Sequence, residues 1–536
     1  MSTRMNWENL LSTKRVSDYL NSNDKKQISQ FESITSPFEK DMEQIIFSYP
    51  FRKLQDKTQV IPFPKFNFVH TRLTHSLEVA AVGRLFGKKV SEIIFNELDK
   101  ERIKRKKINK SDIVTLLATA CLAHDIGNPP FGHSGEDAIS YFFLHKYETG
   151  NLKPDFEFNN GKAYNHIYDS KTKKWIEVEL EMNNHNATLL KQWNDLSNFE
   201  GNANGFRILT QNVHTGIDPT FALLGTFTKY PRESMLIKDP IDRSDLKNIP
   251  KSQTKYGFFQ DQKKIFNHAA EELGLIRIEG ISEFDSAYKR HPLSFLMEAS
   301  DDIAYRLIDF EDGCRLNLID FEKKYSKFTL RNDAKNNIEI ILNKSPREIL
   351  VNIANKDNSF DQMTLDSFSD FTEEMAYLRN KIINVLVDQC FQVFENEYEN
   401  IMRGEFDKSL IDCIENKEIK DSLLLMKQLV IKFVYHYQPV LESEASGFEV
   451  IENLINAFAI TNNINNKTLD KETIKDKKLR SLIPEEFQPK IEKNSDLLNE
   501  KDKYERVLSV LDYISGMTEK LAINLYRKIK GVDIEH

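Results

Sequence analysis

The stretch SDIVTLLATACLAHDIGNPPFGHSGEDAI, beginning at Ser111, constrains this chain more than any other. Ile113, Leu116, Leu117, Ala120 and His124 recur at helical spacing, which predicts an amphipathic helix with an imidazole on its buried stripe. Asp125 follows at once, and Gly127, Asn128, Pro129 and Pro130 then end the helix. A histidine and a carboxylate are thus left side by side where a helix opens into a loop, a pair of ligands suited to a divalent cation. With only 19 Gly and 16 Pro in 536 residues, collagen-like, linker-rich and turn-dense β architectures are disfavoured, and long helices are expected.

The loop runs to His133, after which Ser134 and Asp137 have capping-box spacing, so His133 and Glu136 are expected at a helix start. Free amides there favour an anionic group such as a phosphate. Two further segments carry similar chemistry. In FVHTRLTHSLEVAAVGRLFG, Leu73, Leu77, Ala80, Ala81 and Leu85 form a helical stripe with His75 near its start, beside His70 and Arg72; taken alone, His75 reads as a solvated histidine at a helix end. In HPLSFLMEASDDIAYRLIDFEDG, Asp301 shares a face with Leu293, Met297, Ala304 and Ile308, whereas Asp302 is spaced to pair with Arg306. Burying an unpaired carboxylate is costly and a cation removes that cost, so Asp301 is the better ligand candidate. Tyr305 and Asp309 lie one and two turns further on the same side.

The chain holds 74 Lys plus Arg against 82 Asp plus Glu, a formal charge of −8, which excludes a wholesale nucleic-acid coat but not a local basic groove. The run from Lys100 to Lys110, with Arg102, Lys104, Arg105, Lys106 and Lys107, reads as a solvated face. No segment approaches the ~18 to 20 apolar residues of a membrane span, and MSTRMNWENLLSTKR lacks the apolar run of a secretion signal, so a soluble, cytoplasmic protein is expected. Cys121, Cys314, Cys390 and Cys413 lie far apart without a CxxC pair and read as reduced core residues. Three sections are expected: an N-terminal arm (1–40), a helical catalytic core (41–320) and a C-terminal helical region (321–536). Residues 151–174 and 229–255 read as long loops.

A histidine on one helix, a His-Asp pair on a second and an aspartate on a later one form the H…HD…D signature of the HD superfamily of metal-dependent phosphohydrolases. The likeness extends through SPFEKDMEQIIFSYPFRKLQDKTQV, FVHTRLTHSLEVA, AHDIGNPPFGHSGEDAI, NFEGNANGFRILT, LMEASDDIAYRLIDFEDG and LDYISGMTEKLA. In this order the motifs closely resemble the deoxyguanosinetriphosphate triphosphohydrolases, the dGTPase branch of that superfamily. The resemblance implies an all-α fold, an HD-type helical core with additional C-terminal helices. It also implies metal ligands at His75, His124, Asp125 and Asp301, with Mn²⁺ or Mg²⁺, or else Fe or Co, as the ion, and a catalytic pair at His133 and Glu136. The implied reaction is attack of water on the α-phosphorus of dGTP or another dNTP, releasing deoxynucleoside and tripolyphosphate.

By the same resemblance Tyr305 packs beneath the sugar, Asp309 accepts from its 3′ hydroxyl, and Gln59 and Val60 lie near sugar and base. Asn202, Asn204 and Arg207 are expected polar contacts, and Lys229 and Lys255 are expected at the β and γ phosphates. A homo-oligomer, a hexamer by family, is implied, with single-stranded DNA or a nucleotide as effector. The C-terminal section is matched more loosely, with SEASGFEVIENLINAF as its anchor, so guanine selectivity is less constrained than the chemistry. The rival readings are another HD nucleotidase or phosphodiesterase, and a regulatory protein that binds single-stranded nucleic acid.

Overall fold

Side-chain caps start the helices that carry the expected ligands. Thr71 and Thr74 bond reciprocally and open α1 (Arg72–Glu97), which puts His75 in its first turn; Asn109 and Asp112 do the same for α2 (Lys110–Ala123). After the His124-Asp125 turn, α3 (His133–Tyr141) starts on Gly132, at φ +56°, with no side-chain cap. The expected Ser134 cap does not form because the helix begins two residues earlier, at His133, and takes Ser134 into its first turn. Glu200 caps α4 (Gly201–Thr210), and His291 caps α5 (Pro292–Arg315), which runs unbroken through Asp301.

A computed structural model describes residues 4–20, 35–62, 70–98, 101, 103, 107–146, 157–159, 162–169, 174–180, 183–211, 216–241, 249–325, 328–331, 337–340, 344–461, 473–488 and 500–532. α1 lies along α2, and α5 packs against both. The helices Pro37–Phe47 and Phe221–Phe227 also pack on α2, so from Asp112 to Ala123 only Thr115 is not fully buried. The expected amphipathic helix is therefore a central one, buried on both faces because neighbours close around it. In the C-terminal half come α6 (Phe371–Asn396), α7 (Lys417–Val430), α8 (Gln438–Thr461), α9 (Glu500–Ser515) and α10 (Glu519–Lys530).

The fold is all-α in class, as expected, with two small antiparallel sheets between helices among the described residues. One, β1 (Glu157–Asn159), β2 (Lys162–Asp169) and β3 (Lys174–Leu180), replaces much of the loop expected at 151–174, and β4 (Phe328–Arg331) pairs with β5 (Asn337–Ile340). Residues 229–241 are anchored by a buried ion network, in which Lys191 Nζ meets Glu233 Oε1 at 2.6 Å and Asp285 Oδ1 at 2.8 Å, and residues 249–255 by Ser252, whose amide donates to Asp407 Oδ1 at 2.9 Å.

Packing does not break at residue 320: the main apolar core runs from Met5 to Val440 and a second from Ala138 to Ala522. The N-terminal arm is part of the first, since Met5, Trp7, Leu10, Leu11 and Val16 are buried and Trp7 Nε1 donates to Tyr398 Oη at 2.6 Å. Of the basic run, Lys100, Arg102, Lys104, Arg105 and Lys106 lie outside the described residues. No described helix is long and apolar enough to cross a membrane. All four cysteines are free thiols.

Candidate active site

The crossing of α1, α2 and α5 brings together side chains that are 226 positions apart in sequence. His75 Nε2 lies 3.2 Å and His124 Nε2 3.5 Å from the same oxygen, Asp301 Oδ1, and Asp125 Oδ1 is 3.5 Å from His124 Nε2. His75, His124 and Asp125 each offer a ligand atom within 4.8 Å of the others. His124 Nδ1 donates to the Cys121 carbonyl at 2.7 Å, and its Nε2 is buried without a hydrogen-bond partner, turned toward Asp125 and Asp301. A buried imidazole nitrogen turned toward two carboxylates is the arrangement a divalent cation completes, so the residues fit a mixed nitrogen and oxygen metal site.

Cations flank both carboxylates. Arg72 Nη1 meets Asp125 Oδ2 at 2.7 Å, Asn128 Nδ2 donates to Asp125 Oδ1 at 2.6 Å, and Lys229 Nζ meets Asp301 Oδ2 at 2.5 Å. Burial pushes both carboxyls up, but the charges of His124 and Arg72 at Asp125, and of Lys229 and His124 at Asp301, outweigh it and keep both ionised.

The ligands open into a cavity of about 530 Å³ that also receives His133, Glu136, Glu200, Tyr230, Lys251, Lys255 and Glu298. Glu136 Oε1 accepts from the Gly201 amide at 2.7 Å, at the start of α4, while the adjacent Glu200 holds Lys255 Nζ at 3.0 Å. Burial, and then the charge of Glu200, raise the Glu136 carboxyl above its ordinary value. His133 lines the cavity and is exposed to it, and the protein around its ring, then the charges of Lys255 and Arg72, hold it below its ordinary value.

Gln59, Val60 and Asn202 line this cavity, as do Lys229, Lys255 and Tyr305. Arg207 does not: its guanidinium is fully engaged by Asp512 and Asp261, at 2.8 and 2.6 Å, so it ties α4 to α9 and is removed from the expected substrate contacts. Asn204 is structural in the same way, donating to the Gly127 carbonyl and Ser515 Oγ. Asp309 is buried behind Tyr435, whose hydroxyl donates to Asp309 Oδ2 at 2.6 Å and also meets the Tyr305 hydroxyl, so Tyr435 and not Asp309 lines the cavity. Asp302 accepts from Ser409 Oγ at 2.9 Å, and the expected Arg306 partner turns instead to Asp412.

The HD domain family matches residues 72–198 and the phosphohydrolase-associated domain family matches residues 415–528. A deoxyguanosinetriphosphate triphosphohydrolase-like protein of Synechocystis sp. is 34% identical over 536 residues, covering 99% of this chain and 100% of its own. The chain belongs to the dGTPase family of HD-domain phosphohydrolases. A like-named protein of Listeria monocytogenes is 29% identical, covering 98% of this chain and 100% of its own. A deoxyguanosinetriphosphate triphosphohydrolase of Salmonella typhimurium is 28% identical, covering 92% and 94%. Membership makes the protein a phosphohydrolase with a metal-dependent type of site.

Several groups in this dGTPase-family pocket escape sequence reasoning. Arg72 carries a signal, three residues before His75 on the same helix, and Glu200 carries another, an acid before a Gly-Asn helix start. Tyr435 carries none, because it closes a π-helical turn at Ile431–Tyr435 that no periodicity marks. The loop between ligands and catalytic pair also depends on a close approach at Gly127. A Cβ there would lie 2.1 Å from the Gly205 nitrogen and 2.2 Å from the Gly201 carbonyl oxygen, both backbone atoms that cannot turn aside. Gly127→Ala is expected to destabilise by about 3 kcal/mol, the upper end of overpacking costs, read as a lowered melting temperature; an unchanged melt would show that α4 yields.

Proposed function

We propose that this protein hydrolyses dGTP to deoxyguanosine and inorganic tripolyphosphate, with His75, His124, Asp125 and Asp301 holding one divalent cation. The observation that carries this reading is the convergence of both histidine Nε2 atoms on Asp301 Oδ1 in a cavity that also receives three lysines. A cation bound there, Mn²⁺ or Mg²⁺ in the first instance, would supply Lewis acidity toward an α-phosphate oxygen. The chain's own groups do the rest. Lys251 and Lys255 meet the phosphate charge, and Lys229 shares itself between the substrate and Asp301. His133, kept neutral, takes a proton from the attacking water or returns one to the leaving 5′ oxygen, and Glu136, pinned by the Gly201 amide, orients it. Tyr305 packs under the deoxyribose with Tyr435 beside it, while Gln59, Val60 and Asn202 serve the sugar and base.

The Salmonella typhimurium relative, named as a deoxyguanosinetriphosphate triphosphohydrolase, supports the choice of nucleotide. A homo-oligomer, with a hexamer as the first expectation, and a nucleotide or single-stranded DNA effector complete the proposal. Anion-exchange analysis after incubation of dGTP with the protein and Mn²⁺ is expected to show tripolyphosphate. Orthophosphate or pyrophosphate in its place would transfer the protein to another branch of HD phosphohydrolases.

A further inference from the structure

The turn that carries His124 and Asp125 is held from outside itself. Pro129 and Pro130 have no amide hydrogens, so the Gly127 and Asn128 carbonyls draw their donors from elsewhere in the chain. Two side chains supply them, and each also bonds Ser515, the last residue of α9. Asn204 Nδ2 donates to the Gly127 carbonyl at 2.7 Å and to Ser515 Oγ at 3.1 Å. Lys57 Nζ donates to the Asn128 carbonyl at 2.5 Å and to the Ser515 carbonyl, 458 positions away, at 2.8 Å. Lys57 is 3% exposed, and burial pushes its amine down to about 7 against the opposing charge of Glu519. Burying a lysine is costly, and what this one secures is a bond on either side of the joint between the HD turn and the C-terminal helices.

We propose that Lys57 is a positioning residue for the cation site, which fixes the HD turn against the end of α9 so that the packing of the C-terminal helices sets how tightly the ion is held; this rests on the cation site read above and not on the choice of nucleotide. The connection from lysine to ligand is continuous. Asn128, whose carbonyl Lys57 holds, donates through Nδ2 to Asp125 Oδ1 at 2.6 Å, the same oxygen that lies 3.5 Å from His124 Nε2. Partners of this kind orient a ligand before the ion arrives, and a ligand that must be reoriented binds it more weakly. Lys53, one turn earlier, provides a built-in comparison. It donates to the Gly516 carbonyl at 2.6 Å, gripping the same helix end, and among the described residues it has no bond to the HD turn. Both lysines place positive charge where a helix C-terminus favours it, but only Lys57 reaches across the joint.

Mn²⁺ binding by the full chain, read as free Mn²⁺ by electron paramagnetic resonance beside the melting temperature, separates positioning from mere stabilisation. Lys57→Met is expected to weaken Mn²⁺ binding about 10-fold, the lower end of what the partners of metal ligands contribute. Lys53→Met is expected to lower the melting temperature and leave Mn²⁺ affinity unchanged. In an Asn128→Ala background, Lys57→Met is expected to weaken Mn²⁺ binding no further, because the relay to Asp125 is already cut. Unchanged affinity in Lys57→Met, equal losses in the two lysine variants, or losses that add in the double variant would reduce Lys57 to a tie within the fold. A measurement on the unmodified protein covers a variant that fails to fold. Coupling is reciprocal, so saturating Mn²⁺ is expected to slow amide exchange at Gly516 and Met517, which donate to the Asp512 and Ile514 carbonyls, by at least about 5-fold. Slowing confined to α2 would overturn the coupling. A protein that binds no Mn²⁺ overturns the cation site and this proposal with it, a failure separable from a variant that binds as the unmodified chain does.

Discussion

Asp301→Ala is expected to leave the protein without its bound cation and to lower turnover by at least about 10³-fold. Several kcal/mol of charge stabilisation at the reacting phosphate are at stake, and each ~1.4 kcal/mol is a factor of ten. The geometry singles out Asp301 because its Oδ1 is the oxygen both imidazole Nε2 atoms share, at 3.2 and 3.5 Å, while its Oδ2 holds Lys229. Removing it unpairs a buried lysine as well as a ligand, so Asp301→Asn, which keeps the shape, serves as the companion variant. Metal content per chain by atomic emission is the direct measurement. A variant that keeps one ion per chain would show that His75, His124 and Asp125 suffice.

His133→Ala is expected to retain the ion and lose about 10²- to 10⁴-fold in kcat, the usual contribution of a positioned proton-transfer group. The pH dependence separates this role from a structural one. The protein around the ring, and then the charges of Lys255 and Arg72, hold His133 below the ordinary histidine range, so it stays neutral and able to take a proton at pH values where a free histidine is already charged. As pH falls through that lowered value the ring protonates and the acceptor is lost. The acid limb of kcat is therefore expected below ~6.5, the ordinary histidine value. Lys255→Met removes a positive neighbour and should move that limb upward. A limb that stays in place in the lysine variant, or persists in His133→Ala, would assign it to another group.

Much of this site is legible in order along the chain. The His124-Asp125 pair at a helix end, Asp301 on an apolar stripe and His133 with Glu136 at a helix start each follow from spacing and stop signals, and each element is found. What escapes is what those residues touch. Arg207 sits in a motif that suggests a substrate contact, yet Asp512, 305 positions later, takes its guanidinium. Asp309 has the right helical phase for the cavity but is screened by Tyr435 from a distant turn. Lys229, expected at the β and γ phosphates, lines the cavity and also pairs with Asp301, a partner 72 positions away that spacing does not show.

The division has a physical cause. Helix starts, stops and stripes depend on hydrogen bonds and contacts between residues a few positions apart, so Thr71, Asn109, Gly127 and the alternation of apolar residues in α1, α2 and α5 are determined by the sequence itself. The types of ligand available are determined in the same way. Which charge meets which, and whether a buried lysine spans two distant carbonyls as Lys57 does, depends on how α4 and α9 pack against the HD turn. Coulombic and hydrogen-bond partners are chosen by distance in space, across hundreds of positions, and only the tertiary structure sets that distance.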